Sequence, residues 1–418
     1  MKKKWLIAIS LAIVFGLGSC TSVIVWMRRD DPPPNDEDLR LARLVIPDEE
    51  NAFTYFEKAG GALSWPEAEW DKIEATPEGE KWDGAFVERL LKENKETLEH
   101  WEKGLACPQM QVPELTYDTE LPYFAAWRKI AKLSRLRALY LANSGKGAGA
   151  IDEAMKNVLF GQKMQKSHGA VIHYYVGVAV KELGLSTFRN VLPETKLDPN
   201  ALKSLGDRLL AFRADEEGMA NAMRLEYAAS CDAVDMAAAG GTPVGLELSF
   251  PLNLKTGFLL KPNRTKRMLA ETHRLFIERI GKTYKEQKQG ELPPMMRYAI
   301  DKSASKSKLL LSRNAVGIVI FQMVGPRVYY IKAPCQENVH IAAMRLLIAI
   351  KCYKMKTGKL PETLDALVPE YIDAVPADDF DGKPMRYSPE KKLIWSVGEN
   401  LEDDGGDEDA DIIFEIEF

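Results

Sequence analysis

Acidic side chains crowd into one short segment near the end of the chain. Eight of them fall between Glu399 and Asp411, around the glycine pair Gly405 and Gly406, which leaves the backbone there pliable. Calcium takes about six to eight oxygen ligands from carboxylates, amides and main-chain carbonyls, and without a cation these carboxylates repel one another. We therefore predict a calcium site with four side-chain ligands: Asn400, Asp404, Asp409 and Asp411. The alternative is a solvated acidic turn that binds no ion.

The other reactive residue types form no catalytic pattern. The five histidines contain no HExxH pair, and the sequence has no nucleophile elbow, Walker loop or dinucleotide fingerprint. His340 and Cys352 share one predicted helix but stand about 18 Å apart along its axis, which excludes a direct thiolate–imidazole pair. Four cysteines after residue 100 are widely spaced along the chain. This spacing is compatible with two disulfides and equally with four free thiols. These cysteines are Cys107, Cys231, Cys335 and Cys352.

The acidic segment belongs to a predicted module of two helices and three strands. A long helix is expected over Asn338–Lys356, with Gly358 at its end, and a short helix follows Leu360-Pro361. In the last strand, apolar residues alternate with the others, which is typical of a half-buried strand. The three strands, expected to form an antiparallel sheet, are Met385–Ser388, Leu393–Val397 and Asp411–Phe418.

This order of elements resembles the globular end of the major pseudopilins of type II secretion. The matching residues are Tyr353–Pro361, Ala374–Pro376, Asp381–Tyr387, Trp395–Gly398, Gly405-Gly406 and Asp409–Ile412, and the resemblance covers the last eighty or so residues, about a fifth of the chain. In pseudopilins the loop before the last strand binds calcium, so the resemblance implies calcium within Gly398–Asp411. This chain has no prepilin cleavage motif beside a hydrophobic helix, so the resemblance concerns the ion site and not filament assembly.

The first thirty residues predict a membrane anchor. Lys2–Lys4 precede an uncharged run over residues 5–27, and at about 1.5 Å per residue this run exceeds a hydrocarbon core of about 30 Å. The lysines place the N-terminus in the cytoplasm, so the rest of a single-pass inner-membrane protein would lie outside the cytoplasm. Alternatively, Leu17–Cys20 resembles the lipobox of a bacterial lipoprotein, with Cys20 as the lipidated residue. Both interpretations place the chain in the bacterial cell envelope.

Helices joined by glycine turns fill the middle of the chain. Apolar positions recur every three or four residues over Phe124–Leu141, and the same pattern follows the breaks at Asn143–Gly147 and Ser167–Gly169. This succession resembles the helical hairpins of tetratricopeptide-type solenoids, although no 34-residue period occurs. Further helices are expected over Gly84–Leu105, Pro199–Ala239, Thr265–Glu286 and Leu309–Val324.

We therefore predict a mainly α protein. It has an N-terminal transmembrane helix, an α-helical body of solenoid-like hairpins, and a small C-terminal α+β module with a three-stranded antiparallel sheet. The four expected parts are an anchor or signal segment at 1–29, a linker at 30–45, an α-helical domain at 46–335 and a pseudopilin-like module at 336–418.

Composition narrows the functional classes. Hydrophobic residues make up 46% and charged residues 28% of the chain, which excludes a disordered, collagen-like or polytopic membrane protein. The net charge is −5, and because the acidic segment accounts for it, no broad basic surface for nucleic acid is expected. We expect a membrane-anchored envelope protein of non-enzymatic binding or scaffold type, with a protein partner in the envelope. The alternative is an envelope hydrolase with an unidentified carboxylate site in the helical body near Val244–Arg264.

Overall fold

The computed structural model describes residues 29–69, 82–241, 259–289, 313–326 and 332–418. Within these ranges the chain is mainly helical and ends in a small antiparallel sheet, which confirms that part of the predicted fold class. The predicted membrane segment 5–27 lies outside the described residues. Among the helices that are described, none combines the length and the apolar character that a bilayer crossing requires.

Twelve α-helices and three strands are named here in chain order, within the described ranges. The helices are α1 (Ala52–Gly61), α2 (Gly84–Glu93), α3 (Lys95–Ala106), α4 (Tyr123–Asn143), α5 (Gly147–Gln165), α6 (Val171–Val191), α7 (Pro199–Leu209), α8 (Glu216–Ala238), α9 (Pro262–Arg279), α10 (Tyr284–Gln289), α11 (Ala315–Val324) and α12 (Lys332–Thr357). The strands are β1 (Arg386–Ser388), β2 (Leu393–Ser396) and β3 (Ile412–Glu415). Short 3-10 helices lie at Glu37–Leu39, Glu67–Glu69, Leu210–Phe212, Leu364–Leu367 and Gly398–Asn400.

The single helix predicted over Gly84–Leu105 is wrong, because the structure divides it into α2 and α3 at Asn94. The Asn94 side chain is fully buried, donates to the Ser64 carbonyl at 2.8 Å and accepts from the Ser64 amide at 2.9 Å. These bonds hold a distant loop against the helix break. A side chain that satisfies backbone groups outside its own helix competes with the helical ladder.

Two further predicted helices are also divided. The stretch Pro199–Ala239 forms α7 and α8, and the Asp215 side chain caps α8 by accepting from the Gly218 amide at 2.6 Å. The stretch Thr265–Glu286 forms α9 and α10, separated around Gly281, whose φ of +79° lies in the left-handed region that favours glycine. Periodicity indicates the helical character of these stretches but not where each helix ends.

Helices α5 and α6 pack closely through glycines. A Cβ atom at Gly161 would lie 2.3 Å from the Gly177 carbonyl oxygen, and one at Gly177 would lie 2.6 Å from the Gly161 carbonyl oxygen. Both distances are too short for a real contact, so the two backbones approach as closely as they do only because neither residue has a side chain. This pair of helices forms the centre of the helical body.

A buried ion pair connects the helical body to α12. Lys181 of α6 donates to the Glu337 carboxylate of α12 at 2.5 Å, and both side chains are almost completely shielded from solvent. Lys181 also donates to Gln165 of α5 at 2.5 Å, and Gln165 donates to Glu337 at 2.8 Å. Because each charge has several partners, the pair is retained in the interior and fixes how three helices meet.

One hydrophobic cluster extends from the helical body to the C-terminal sheet. It includes Leu205 of α7, Ile348 of α12 and Phe414 of β3, and α12 packs mainly against α7 and α6. The boundary predicted between residues 335 and 336 falls inside α12, and the division into domains stays a prediction. A second cluster joins α1 to α6 around the buried rings of Trp101 and Trp127.

Residues 30–39, which we call the strap, lie along α8 and α9. Asp31 pairs with Arg264 at 3.1 Å, and Asp38 pairs with Arg274 at 2.6 Å. Leu39 at the end of the strap is only 2% exposed and belongs to the main hydrophobic cluster. The first part of the predicted linker 30–45 is therefore bound to the helical body along its length.

The C-terminal sheet has the order β1-β2-β3, and all neighbours are antiparallel. Phe414 of β3 stands opposite Ile394 of β2, and both side chains are buried. The Phe414 ring also packs edge-on against the His340 ring of α12, with 5.2 Å between centroids. The three predicted strands are confirmed with shorter ends, and the sheet lies on α12.

Candidate functional site

The acidic loop connects β2 to β3 and begins with the 3-10 turn Gly398–Asn400. Its backbone enters the left-handed region at Leu401, with φ +64°, and again at Gly405 and Gly406. Glycine adopts this region without strain, whereas a branched residue such as leucine rarely does. The loop therefore turns sharply on itself and brings its end, at Asp411, back beside the glycine pair.

Asp411 is the buried acid of the loop. The residue is 6% exposed, and its Oδ2 atom accepts a hydrogen bond from the Gly406 amide at 2.8 Å. Its Oδ1 atom is shielded from solvent and accepts no hydrogen bond from any residue in the described part of the chain. A buried carboxylate oxygen without a donor is unfavourable, because its charge has lost water and gained nothing in return.

The other three predicted ligands are exposed. The Asn400 amide donates to Asp404 Oδ2 at 2.7 Å, so the structure brings these two side chains together. The Asp409 backbone amide donates to the Asp407 carboxylate at 2.9 Å, and the Asp409 side chain is exposed. Over the described ranges, no three side chains of His, Cys, Asp or Glu are grouped to hold a metal. A calcium ion here would thus need main-chain carbonyl oxygens in addition to Asp411.

Asp403 has a structural role that the sequence did not predict. Its carboxylate accepts from the Trp395 indole at 2.9 Å and from the Gly405 amide at 3.2 Å, which ties the loop to β2. Lys391 donates to the Gly405 carbonyl at 2.6 Å from the other side. Nothing in the spacing of the acids distinguishes Asp403 from its neighbours, because the partner that ties it to the sheet, Trp395, lies on β2.

A cleft of about 390 Å³ lies in the helical body between α5 and the start of α8. Asp215, one of its acids, pairs with Lys166 at 3.1 Å, accepts from Gln162 at 3.1 Å and caps α8. His168 lines the same cleft with a left-handed backbone at φ +47°, and burial lowers the pKa of its imidazole. Among the charged side chains that line this cleft, Asp215 and Lys166 neutralise each other, and Lys163 donates to the Cys107 carbonyl.

None of the four cysteines in the described ranges is an activated nucleophile, because burial raises the pKa of each thiol. Burial raises the pKa of Cys335 to about 12 and that of Cys352 to about 11, so both thiols stay protonated at neutral pH. The four cysteines in the described ranges are free thiols. His340 Nδ1 and Glu182 Oε1 are 3.6 Å apart, too far for a hydrogen bond. Of the segment Val244–Arg264, where the hydrolase alternative placed its site, residues 244–258 lie outside the described ranges.

No protein-family model, curated protein or solved structure matches this chain. The resemblance of the C-terminal module to pseudopilins therefore stays a prediction.

Proposed function

We propose that this chain is a membrane-anchored protein of the bacterial cell envelope, of non-enzymatic binding or scaffold type, with a C-terminal loop stabilised by calcium. The observation that carries the calcium part is the buried, unpartnered Oδ1 atom of Asp411. A hard divalent cation is a natural partner for a carboxylate oxygen that no described residue satisfies.

The remaining ligands would come from the loop itself. The hydrogen bond between Asn400 and Asp404 already holds two oxygen-bearing side chains together, and rotation of either one presents its oxygen to the ion. The glycine pair lets the backbone turn its carbonyl groups inward. Asp409, three residues before the last strand, supplies a further exposed carboxylate. Because calcium would bind the folded loop and not the unfolded chain, its binding free energy would add to the free energy of unfolding of the module.

The anchor and the scaffold role rest on other features. Residues 5–27 have the length and apolar character of a membrane span, with lipidation at Cys20 as the alternative attachment. Helices α4, α5 and α6 follow one another through short turns and pack in sequence, as in a solenoid-like stack. A protein partner in the envelope would bind at the polar cleft between α5 and the start of α8.

The experiment is a calcium titration of the full chain, extracted with detergent from the membrane fraction and followed by its melting temperature. At about 100 times the dissociation constant, calcium should add about 2.7 kcal/mol to the free energy of unfolding, which corresponds to a rise of a few degrees. The rise should disappear in Asp411→Asn, which keeps the shape of the side chain but removes its charge. Glu408→Gln, an exposed change in the same loop, is the matched control and should keep the rise.

Magnesium should have a smaller effect than calcium, because it demands a near-octahedral shell and releases its water reluctantly. An unchanged melting temperature in calcium, or a full rise in Asp411→Asn, would contradict the calcium site. Recovery of the chain only in the soluble fraction would contradict the anchor.

A further inference from the structure

Arg345 of α12 is a buried cation that forms no direct ion pair with a described residue, although the Asp207 and Asp373 carboxylates act on it at longer range. The residue is 9% exposed, and its Nε atom donates to the Gly206 carbonyl at 3.2 Å. Its terminal nitrogens donate to no group, and it forms no ion pair with any carboxylate, in the described part of the chain. Burial lowers the pKa of this guanidinium. Arginines that are this far removed from water are nearly always paired.

The guanidinium lines a cavity of about 250 Å³ at the junction of the helical body and the C-terminal module. The 3-10 helix that follows α7 contributes Leu210, α12 contributes Ile341, and the segment before β1 contributes Val375. These three side chains form an apolar wall beside the charged group.

Two of the four charges on the cavity wall are already paired. Arg213 donates to the Asp379 carboxylate at 3.2 Å, and Asn338 donates to the same carboxylate at 2.5 Å. Asp373 also lines the cavity, is exposed, and has no ion-pair or hydrogen-bond partner for its side chain among the described residues. The two charges on the wall of this cavity that form no direct ion pair with a described residue are therefore the Arg345 guanidinium and the exposed Asp373 carboxylate, and these two also act on one another at longer range.

We propose that this cavity binds a small zwitterion with an apolar side chain, of the α-amino acid class. The ligand carboxylate lies on the fork of Arg345, whose planar array of N–H groups matches two carboxylate oxygens. The ligand ammonium faces Asp373, and the apolar side chain packs against the wall of Leu210, Ile341 and Val375. A phosphate fits less well, because its second negative charge would face Asp373 and Asp379 in the same small space.

The site is separate from the acidic loop and independent of calcium. Its walls come from both the helical body and the C-terminal module, so a bound ligand would contact both and favour their association. Ligand binding would then stabilise the junction in addition to the packing of its side chains.

The test is calorimetric titration of the full chain with three probes of similar shape. Leucine carries both charges, 4-methylpentanoate lacks the ammonium group, and isopentylamine lacks the carboxylate. Leucine should bind most tightly, and each truncated probe should bind about tenfold to a hundredfold more weakly, since each loses one charge-assisted contact. Arg345→Gln should weaken the binding of leucine by a similar factor. Asp373→Asn should weaken leucine but leave 4-methylpentanoate unchanged.

Arg208→Gln is the matched control, because Arg208 is exposed on α7 and does not line the cavity. Leucine binding should be unchanged in that variant. The proposal would be overturned if leucine and isopentylamine bound with equal affinity, or if Asp373→Asn kept full affinity for leucine. It would also be overturned if leucine did not bind at 10 mM, which is on the order of the weakest specific affinities. The comparison of the three probes uses the unmodified chain, so the outcome does not depend on whether Arg345→Gln folds.

Discussion

Asp378 and Asp411 are both buried acids of the C-terminal module, but their surroundings differ. Asp378 is completely buried and every one of its carboxylate bonds is made inside the protein. Its donors are the Phe380 and Val397 amides, the Ser396 hydroxyl and the Arg386 guanidinium. Asp411 has one donor and one bare oxygen. The carboxylate of Asp378 is fully hydrogen-bonded, whereas one oxygen of Asp411 has no donor among the described residues.

His273 gives the protein a stability that depends on pH. The ring is completely buried in α9, its Nδ1 atom bonds the Leu269 carbonyl at 2.7 Å, and burial lowers its pKa to about 4. The unfolded chain, with a histidine pKa of about 6.5, takes up the proton first as the pH falls. The imidazole therefore contributes full stability above pH 6.5, and roughly 3 kcal/mol of it is lost as the pH falls to about 4.

Denaturant unfolding at a series of pH values measures this loss. His273→Gln should be less stable than the unmodified chain at pH 7 but should show a flatter fall in unfolding free energy between pH 6.5 and pH 4. Parallel curves for the two proteins would show that His273 does not titrate in this range. Circular dichroism at pH 7 checks that the variant retains its helices.

Residue types are visible in the sequence, but their partners are not. The acids of the loop can be recognised by their density, and the position of Asp411 before β3 suggests a turn towards the sheet. That one of its oxygens would be buried without a donor depends on where the loop packs. Arg345 and Asp373 are separated along the chain and belong to ordinary charged patterns, so only the fold reveals their shared cavity.

At the scale of single elements, the contact between α5 and α6 should be intolerant of side chains. Gly177→Ala places a methyl group 2.6 Å from the Gly161 carbonyl oxygen and must push the helices apart. We expect a loss of about 1–3 kcal/mol in the free energy of unfolding, measured by denaturant titration. Alanine normally favours a helix over glycine, so propensity alone predicts the opposite sign.

Gly149→Ala is the matched control within α5. Its Cβ atom would meet Leu141 at 3.8 Å, an ordinary van der Waals distance. This variant should be stabilised by up to about 1 kcal/mol, because glycine loses more backbone entropy in a helix than alanine does. A Gly177→Ala protein as stable as the unmodified chain would refute the close packing of α5 on α6.

Element type follows from the sequence more closely than element ends do. The 3.6-residue period predicts α4, α5 and α6, and the two-residue period predicts β3, because each pattern records the buried face of its own element. The break at Asn94 is not predicted, because its cause is a hydrogen bond to Ser64 thirty residues earlier. The sequence alone does not distinguish a buried asparagine from one on the surface.

At the scale of the whole molecule, the continuous core predicts that the helical body and the C-terminal module unfold together. Phe380 is completely buried in the module, and its ring packs edge-on against Tyr284 of α10 at 5.3 Å between centroids. Phe380→Ala should lower the free energy of unfolding by about 3–5 kcal/mol. Because the core is shared, hydrogen exchange should accelerate equally for amides of α6 and for amides of β2.

Met355→Ala is the control for this change, since the Met355 side chain is exposed on the same module. It should leave exchange in both regions nearly unchanged. Faster exchange in β2 with unchanged protection in α6 after Phe380→Ala would show that the two regions are separate cooperative units, as the predicted domain boundary implies.

The strap would set the distance between the helical body and a membrane, if residues 5–27 span one as proposed. Asp30 accepts from the Asn263 amide at 2.8 Å and so supplies the first turn of α9 with the cap that Lys261 does not provide. Only three peptide units separate Asp30 from Met27, the last residue of the apolar run, a reach of about 10 Å. With that run in the bilayer, as proposed, no flexible stalk intervenes. The start of α9 would then lie close to the lipid headgroups, with Arg264 and Arg267 both held by Asp31 of the strap.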